Sequence, residues 1–207
     1  MSATYVATKN EVFLGPELAG TLMTPEEFDA VQNCDELYVY ELIHGVLVVN
    51  PPPSEGERGP NEMLGHWLLS YQEHHPQGRS LDLTLPEHHI RTRESRRRAD
   101  RVIWAGLGRT PNVRRDQPNI AIEFVSAGKR DRHRDYVAKR DEYLEAGLAE
   151  YWVIDRFERR MTVYRFRRGK TTTKTVTEEH TYTTPLLPEF KVPLASLLEL
   201  MDRWGES

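Results

Sequence analysis

The stretch Asn119-Ile120-Ala121-Ile122-Glu123-Phe124-Val125-Ser126 is apolar at most positions and yet carries one carboxylate. With the period-two alternation of a strand, Ile120, Ile122 and Phe124 line one face, and Ala121, Glu123 and Val125 line the other. Apolar residues on both faces predict a central strand covered on both sides. Glu123 then sits in an apolar layer, where an ionised group is costly unless it is paired or metal-bound. Two readings stay open: a glutamate held by one of the chain's many arginines, or a metal ligand or acid–base group.

Downstream, Asp131 to Ala146 has the pattern of a helix, closed by Gly147 in the C′ position. Glu150-Tyr151-Trp152-Val153-Ile154-Asp155 and Met161–Phe166 are strands around Arg156–Arg160, and Thr171–Thr184 is a β-prone threonine-rich stretch. Pro193–Trp204 is a closing helix. Upstream, Arg79–Leu85, Glu87–Arg93 and Ala99–Ala105 look like successive strands, and Pro111–Pro118 is a loop. Pro60–His74 is helical, with Met63, Trp67, Leu68 and Tyr71 on its apolar side, and Pro51–Gly59 is a polar loop before it. Tyr38–Asn50 is β-prone with a turn or bulge at His44-Gly45. Thr24-Pro25-Glu26-Glu27-Phe28 opens a short helix running to about Val31, with an N-cap threonine and proline at the first helical position. This order predicts an α/β (α+β) fold, a mixed central β-sheet flanked by helices. It divides into an arm over 1–23, a domain over 24–192 and a helix over 193–207 packed on the same domain.

The composition suits one globular domain: 207 residues, 38% hydrophobic and 29% charged. The single cysteine, Cys34, excludes an intramolecular disulfide framework and a four-cysteine zinc ribbon. There is no apolar run long enough to span a membrane and no signal-like start, so a cytoplasmic protein is expected. The net charge of −4 hides an asymmetry, because residues 91–134 hold thirteen basic residues against five acids. A basic segment in an acidic chain fits a polyanionic partner, or pairing with the acidic remainder. The pairs His74-His75 and His88-His89 are adjacent, and neighbouring residues are not expected to face one site.

Further acids share the Glu123 pattern. In Ala99-Asp100-Arg101-Val102-Ile103-Trp104, Asp100 shares a face with Val102 and Trp104. Glu41 lies in the apolar strand Val39-Tyr40-Glu41-Leu42-Ile43. Each is either salt-bridged to an arginine or part of a set converging on a hard divalent cation such as Mg²⁺. Lys139 is one of only six lysines against 22 arginines, with Asp135 and Tyr143 one turn to either side. It is either half of an ordinary Asp135–Lys139 helix pair or a compact charge beside a phosphate oxygen.

In order, Tyr40-Glu41-Leu42-Ile43-His44-Gly45, Ala99-Asp100, Glu123-Phe124-Val125-Ser126, Asp135-x-x-x-Lys139-x-x-x-Tyr143-x-x-x-Gly147 and Glu150-Tyr151-Trp152-Val153-Ile154-Asp155 form a recognisable set. It resembles the Uma2 family, also called DUF820, of the PD-(D/E)XK restriction-endonuclease-like fold, from about Thr24 to Phe166. The resemblance implies that Asp100 and Glu123 are metal ligands and that Lys139 replaces a lysine normally two residues after the acid. It makes Glu41 an accessory acid. Three positions depart from the pattern: Ala99 for the usual proline, His44 for the usual aspartate, and Val125 where the plain motif has lysine. Lys129, on the loop after Glu123, is a competing lysine.

The expected activity is Mg²⁺-dependent (Mn²⁺ also possible) hydrolysis of DNA phosphodiesters, catalysed by Asp100, Glu123, Lys139 and Glu41. Arg96, Arg97, Arg98, Arg130, Arg132 and Arg134 are the expected backbone-phosphate contacts. The partner is DNA and the expected assembly a homodimer. The alternatives are an inactive nuclease-fold protein that binds DNA or a protein, and a dimerisation protein pairing through its threonine-rich segment.

Overall fold

The computed structural model describes residues 12–126 and 134–205, which fall into two compact units. The first runs to Pro52 and includes Glu94–Arg96; the second comprises Pro53–Arg93 and the chain from Arg97 onward.

In the first unit, β1 (Phe13–Leu14) pairs in parallel with β2 (Asn33–Cys34). Helix α1 (Pro25–Ala30) starts where the sequence places it. Thr24 Oγ1 accepts from the Glu27 N–H at 3.1 Å, and the Glu27 carboxylate accepts from the Thr24 N–H at 2.8 Å. The hairpin of β3 (Val39–Ile43) and β4 (Val46–Asn50) turns through His44 and Gly45, both at positive φ (48° and 77°). Leu14, Phe28, Tyr40, Leu42 and Leu47 form its core.

The second unit begins with α2 (Glu55–His74). Pro60 is therefore inside the helix, which starts five residues earlier than expected. Ser54 is its N-cap, and the Glu57 carboxylate returns to the Ser54 N–H (2.7 Å) and Oγ (3.0 Å). That capping interaction sets the start and overrides the proline as a first-position signal. The two strands expected over 79–93 are one, β5 (Leu81–Arg91), which passes through Pro86 and a positive φ of 49° at Glu87. The next strand, β6 (Arg96–Ala105), begins three residues before Ala99, so Arg96–Arg98 belong to the sheet.

Central β7 (Ile120–Phe124) is antiparallel to β6 and parallel to β8 (Glu150–Asp155). The parallel pair requires a crossover, supplied by a π-helical turn (Arg134–Ala138) running into α3 (Lys139–Glu145). Gly147, at φ 83°, closes α3: its N–H reaches the Leu144 carbonyl at 3.1 Å and the Leu148 N–H reaches Tyr143 at 3.1 Å. β9 (Arg160–Arg167) pairs with β8 and with β10 (Lys170–Thr177). The threonine-rich stretch is thus two strands: β10, and β11 (Thr181–Thr184), which pairs with β12 (Leu187–Pro193) before α4 (Leu194–Gly205).

Both faces of β7 are covered, as its pattern requires. Ile120, Ile122 and Phe124 pack with Leu64, Leu68, Leu197 and Leu198 of α2 and α4. Ala121 and Val125 pack with Val102, Trp104, Tyr143 and Tyr151 on the α3 side. Arg101 is buried against α2, where its guanidinium donates to the Asn61 side chain (2.7 Å) and carbonyl (2.9 Å). A Cβ at Gly65 would lie 2.5 Å from that guanidinium, so the glycine makes room for it.

Candidate active site

Asp100 and Glu123 stand on neighbouring strands, β6 and β7, and α3 brings Lys139 to them. Lys139 Nζ lies 2.8 Å from Glu123 Oε1 and 3.7 Å from Asp135 Oδ1, and donates to the Arg98 carbonyl at 3.0 Å. Tyr143, one turn further along α3, donates its hydroxyl to Glu123 Oε1 at 3.3 Å. The Phe124 N–H donates to Asp100 Oδ2 at 2.6 Å, which fixes the carboxylate of one strand to the backbone of the next. Glu123, Asp135 and Lys139 are all buried, while Asp100 is partly accessible. Among the described residues Glu123 is held by Lys139 and not by an arginine, and Lys139 reaches beyond its helix neighbour Asp135.

One ammonium stands among three carboxylates here, of which Asp135 is also paired with Arg134, and the electrostatics show the remaining imbalance. Burial pushes the Asp100 carboxyl up to about 7, against the opposing pull of Lys139 and the Phe124 N–H; the charges of Glu57 and Asp135 add to the rise. Glu123 is likewise held well above the ordinary carboxylate range, first by burial and then by the charges of Asp100 and Asp135, with Lys139 opposing. Among the described residues no three His, Cys, Asp or Glu side chains converge as a closed metal cage. Two oxygen-donor carboxylates in a surplus of negative charge fit a hard cation that keeps waters and takes a phosphate oxygen as a further ligand.

The raised Asp100 value carries a stability consequence. A carboxyl whose folded-state value lies above its unfolded one favours folding while protonated, and that contribution is lost as pH rises from about 4 through about 7. Asp100→Asn removes the charge and is therefore expected to be more stable than wild type in chelator at high pH. The gap should widen by ~1–3 kcal/mol between pH 5 and pH 8. Urea denaturation at the two pH values measures it; a gap that does not change with pH contradicts the buried-charge account.

The arginines sort differently from their count. Arg96 is buried in the first unit, with both Asp29 oxygens at 2.8 Å. Arg97 is 2% exposed and grips Glu142 of α3, with Nη2 2.6 Å and Nε 2.9–3.0 Å from its oxygens. Arg98 pairs with Glu87, and Arg134 Nε lies 3.0 Å from Asp135 Oδ1. Arg96 and Arg97 are thus internal ion pairs and are not presented at the surface. Arg130, Arg132 and Lys129 lie outside the described residues. Glu41 is buried in the first unit, where Asn50 Nδ2 donates to it at 3.4 Å.

Sequence reasoning passed over two groups. Glu57 lay in a stretch expected to be loop, yet its carboxylate accepts from Ser126 Oγ at the end of β7, and its charge acts on Asp100. The signal was the Ser54-x-x-Glu57 capping spacing. Glu150, at the head of the Glu-Tyr-Trp-Val-Ile-Asp strand, is buried and accepts from Trp152 Nε1 (2.8 Å), the Tyr182 hydroxyl (2.9 Å) and Arg165 (3.0 Å), a structural anchor for β8.

This arrangement of sheet and helices is a nuclease-type α+β fold. It matches a crystal structure described as "a putative nuclease belonging to DUF820", from Anabaena variabilis ATCC 29413, with a TM-score of 0.65 and 17% identity over 86% of this chain and 99% of that one. The chain belongs to the Uma2 family, whose model, described as "Putative restriction endonuclease", matches residues 25–195. No curated protein matches it. No helix among the described residues is long and apolar enough to cross a membrane.

Proposed function

We propose that this protein is a Mg²⁺-dependent endonuclease that hydrolyses DNA phosphodiesters, with Mn²⁺ as a possible substitute, acting as a cytoplasmic homodimer. The observation that supports it most is Lys139 Nζ at 2.8 Å from Glu123, delivered from a helix sixteen residues downstream of the acid. In this reading Asp100 and Glu123 hold the cation. When bound, such an ion polarises a phosphoryl oxygen and lowers the pKa of coordinated water.

The chain's own groups do the rest. Lys139 favours the ionised form of Glu123 and supplies a fixed positive charge where negative charge develops on the phosphate. Tyr143 donates to the same Glu123 oxygen as Lys139 and helps to orient that carboxylate, and the Phe124 N–H holds Asp100. Glu41 remains the accessory acid of the proposal. Phosphate contact would fall to Arg98, Arg130, Arg132 and Arg134, since Arg96 and Arg97 are buried in ion pairs.

Calorimetric titration with Mg²⁺ or Mn²⁺ tests the site. Wild type is expected to bind, and Asp100→Ala to lose binding with its circular dichroism intact. Unchanged affinity in Asp100→Ala removes these residues as ligands. Metal binding without plasmid cleavage favours a non-cutting DNA-binding relative.

A further inference from the structure

Away from the acid cluster, the end of β5 and the loop from Val113 to Pro118 enclose a small cavity of about 60 Å³. We infer that this pocket, walled by His88, His89, Arg91, Arg114 and Arg115, binds a phosphate group, supplied by a nucleic-acid backbone or by free phosphate. The volume exceeds what a single water needs and suits a compact tetrahedral oxyanion.

The charge balance of the pocket is one-sided. Its only carboxylate, Asp116, is already engaged: Arg109 donates to both of its oxygens at 2.6 and 2.9 Å, and the Asn112 N–H adds a third bond at 2.7 Å. Those bonds, the Arg109 one first, hold the Asp116 carboxyl down at about 2. Arg114 and Arg115 are exposed and form no ion pair with an acid among the described residues. Two arginines lining a pocket whose one acid is spent elsewhere are suited to capture of a phosphate.

The walls are fixed before any ligand arrives. Arg91 donates to the Arg114 carbonyl and Gln117 donates to the Arg91 carbonyl, which ties the strand end to the loop. Trp104 Nε1 donates to the Asp116 carbonyl at 3.0 Å, and the His88 ring packs edge-on against Trp104 at 5.3 Å. His88 and His89 both line the pocket although they are adjacent in the strand.

Trp104 also locates the pocket. It shares a face of β6 with Asp100, four residues away, or about 13 Å at the rise of a strand. The backbone as the source of the phosphate rests on the nuclease reading; capture of phosphate itself does not.

The test uses the full chain in chelator, so that no outcome depends on cleavage. Inorganic phosphate is titrated into wild type and Arg114→Ala/Arg115→Ala, and a DNA duplex is bound by both over a salt series. Wild type is expected to bind phosphate saturably, with at least a ~10-fold loss in the double variant. If the backbone is the source, DNA affinity falls as well, and the slope of log K against log salt becomes shallower by about 0.9. If DNA affinity holds while phosphate binding is lost, the pocket serves free phosphate. Absence of saturable phosphate binding by wild type, or equal binding by the variant, overturns the inference. Failure of the nuclease reading appears separately, as no divalent-metal binding and no cleavage.

Discussion

Lys139→Ala is expected to slow Mg²⁺-dependent plasmid cleavage by ~100–1,000-fold, the usual cost of removing a fixed charge beside a transition state. The lysine is well suited to that role because it does not search for its position. Its ammonium is held by Glu123, Asp135 and the Arg98 carbonyl, in a layer packed by Tyr143 and Tyr151. Metal affinity should be kept, or become tighter, because Lys139 competes with a cation for Glu123. Lys139→Met, which keeps most of the volume, controls for packing, and thermal melts control for the buried acids left behind. Lys129→Ala is expected to lower cleavage only modestly. Full activity in Lys139→Ala, with loss in Lys129→Ala, would reverse the assignment.

Arg97→Ala is expected to destabilise the protein by ~3–5 kcal/mol, because it leaves the Glu142 carboxylate buried against β6 without its cation. The ion pair itself need not be strongly stabilising, since both ions lost water to form it. Replacing both partners with apolar residues, Arg97→Met with Glu142→Leu, should therefore recover most of the loss. Urea denaturation of the single and double variants measures this. A single-variant loss below ~1 kcal/mol would mean that the pair is effectively solvated. The same reasoning makes a combined Arg96, Arg97 and Arg98 substitution a poor probe of DNA binding, since it would damage the fold first.

Where a single periodicity governs an element, the sequence is legible. The two faces of β7, the hairpin turn at His44-Gly45, the Thr24 cap and the Gly147 stop all follow from local patterns, and the structure carries each of them. The elements that were misread contain competing signals. Pro60 imitates a helix start and hides the cap at Ser54, and Pro86 with Glu87 imitates a strand break inside β5. Charge was the least legible property. A count of arginines carries no direction, and the partners that take Arg96 and Arg97 inside, Asp29 and Glu142, are too distant in sequence for local spacing to show. The pairing of Lys139 with Glu123 also spans a crossover, and local spacing shows only its Asp135 half.

Placing the ammonium on α3, and not two residues along β7, joins two properties that are usually separate. Lys139, Tyr143 and Glu142 leave together if α3 lifts from the sheet, and Arg97 is what holds Glu142 down. The geometry of the proposed site is therefore all-or-none: an opening of this one helix removes the ammonium, the hydroxyl and the tether in a single event. Amide exchange along residues 139–145 would then give the free energy of that opening, and with it the fraction of molecules competent at any instant.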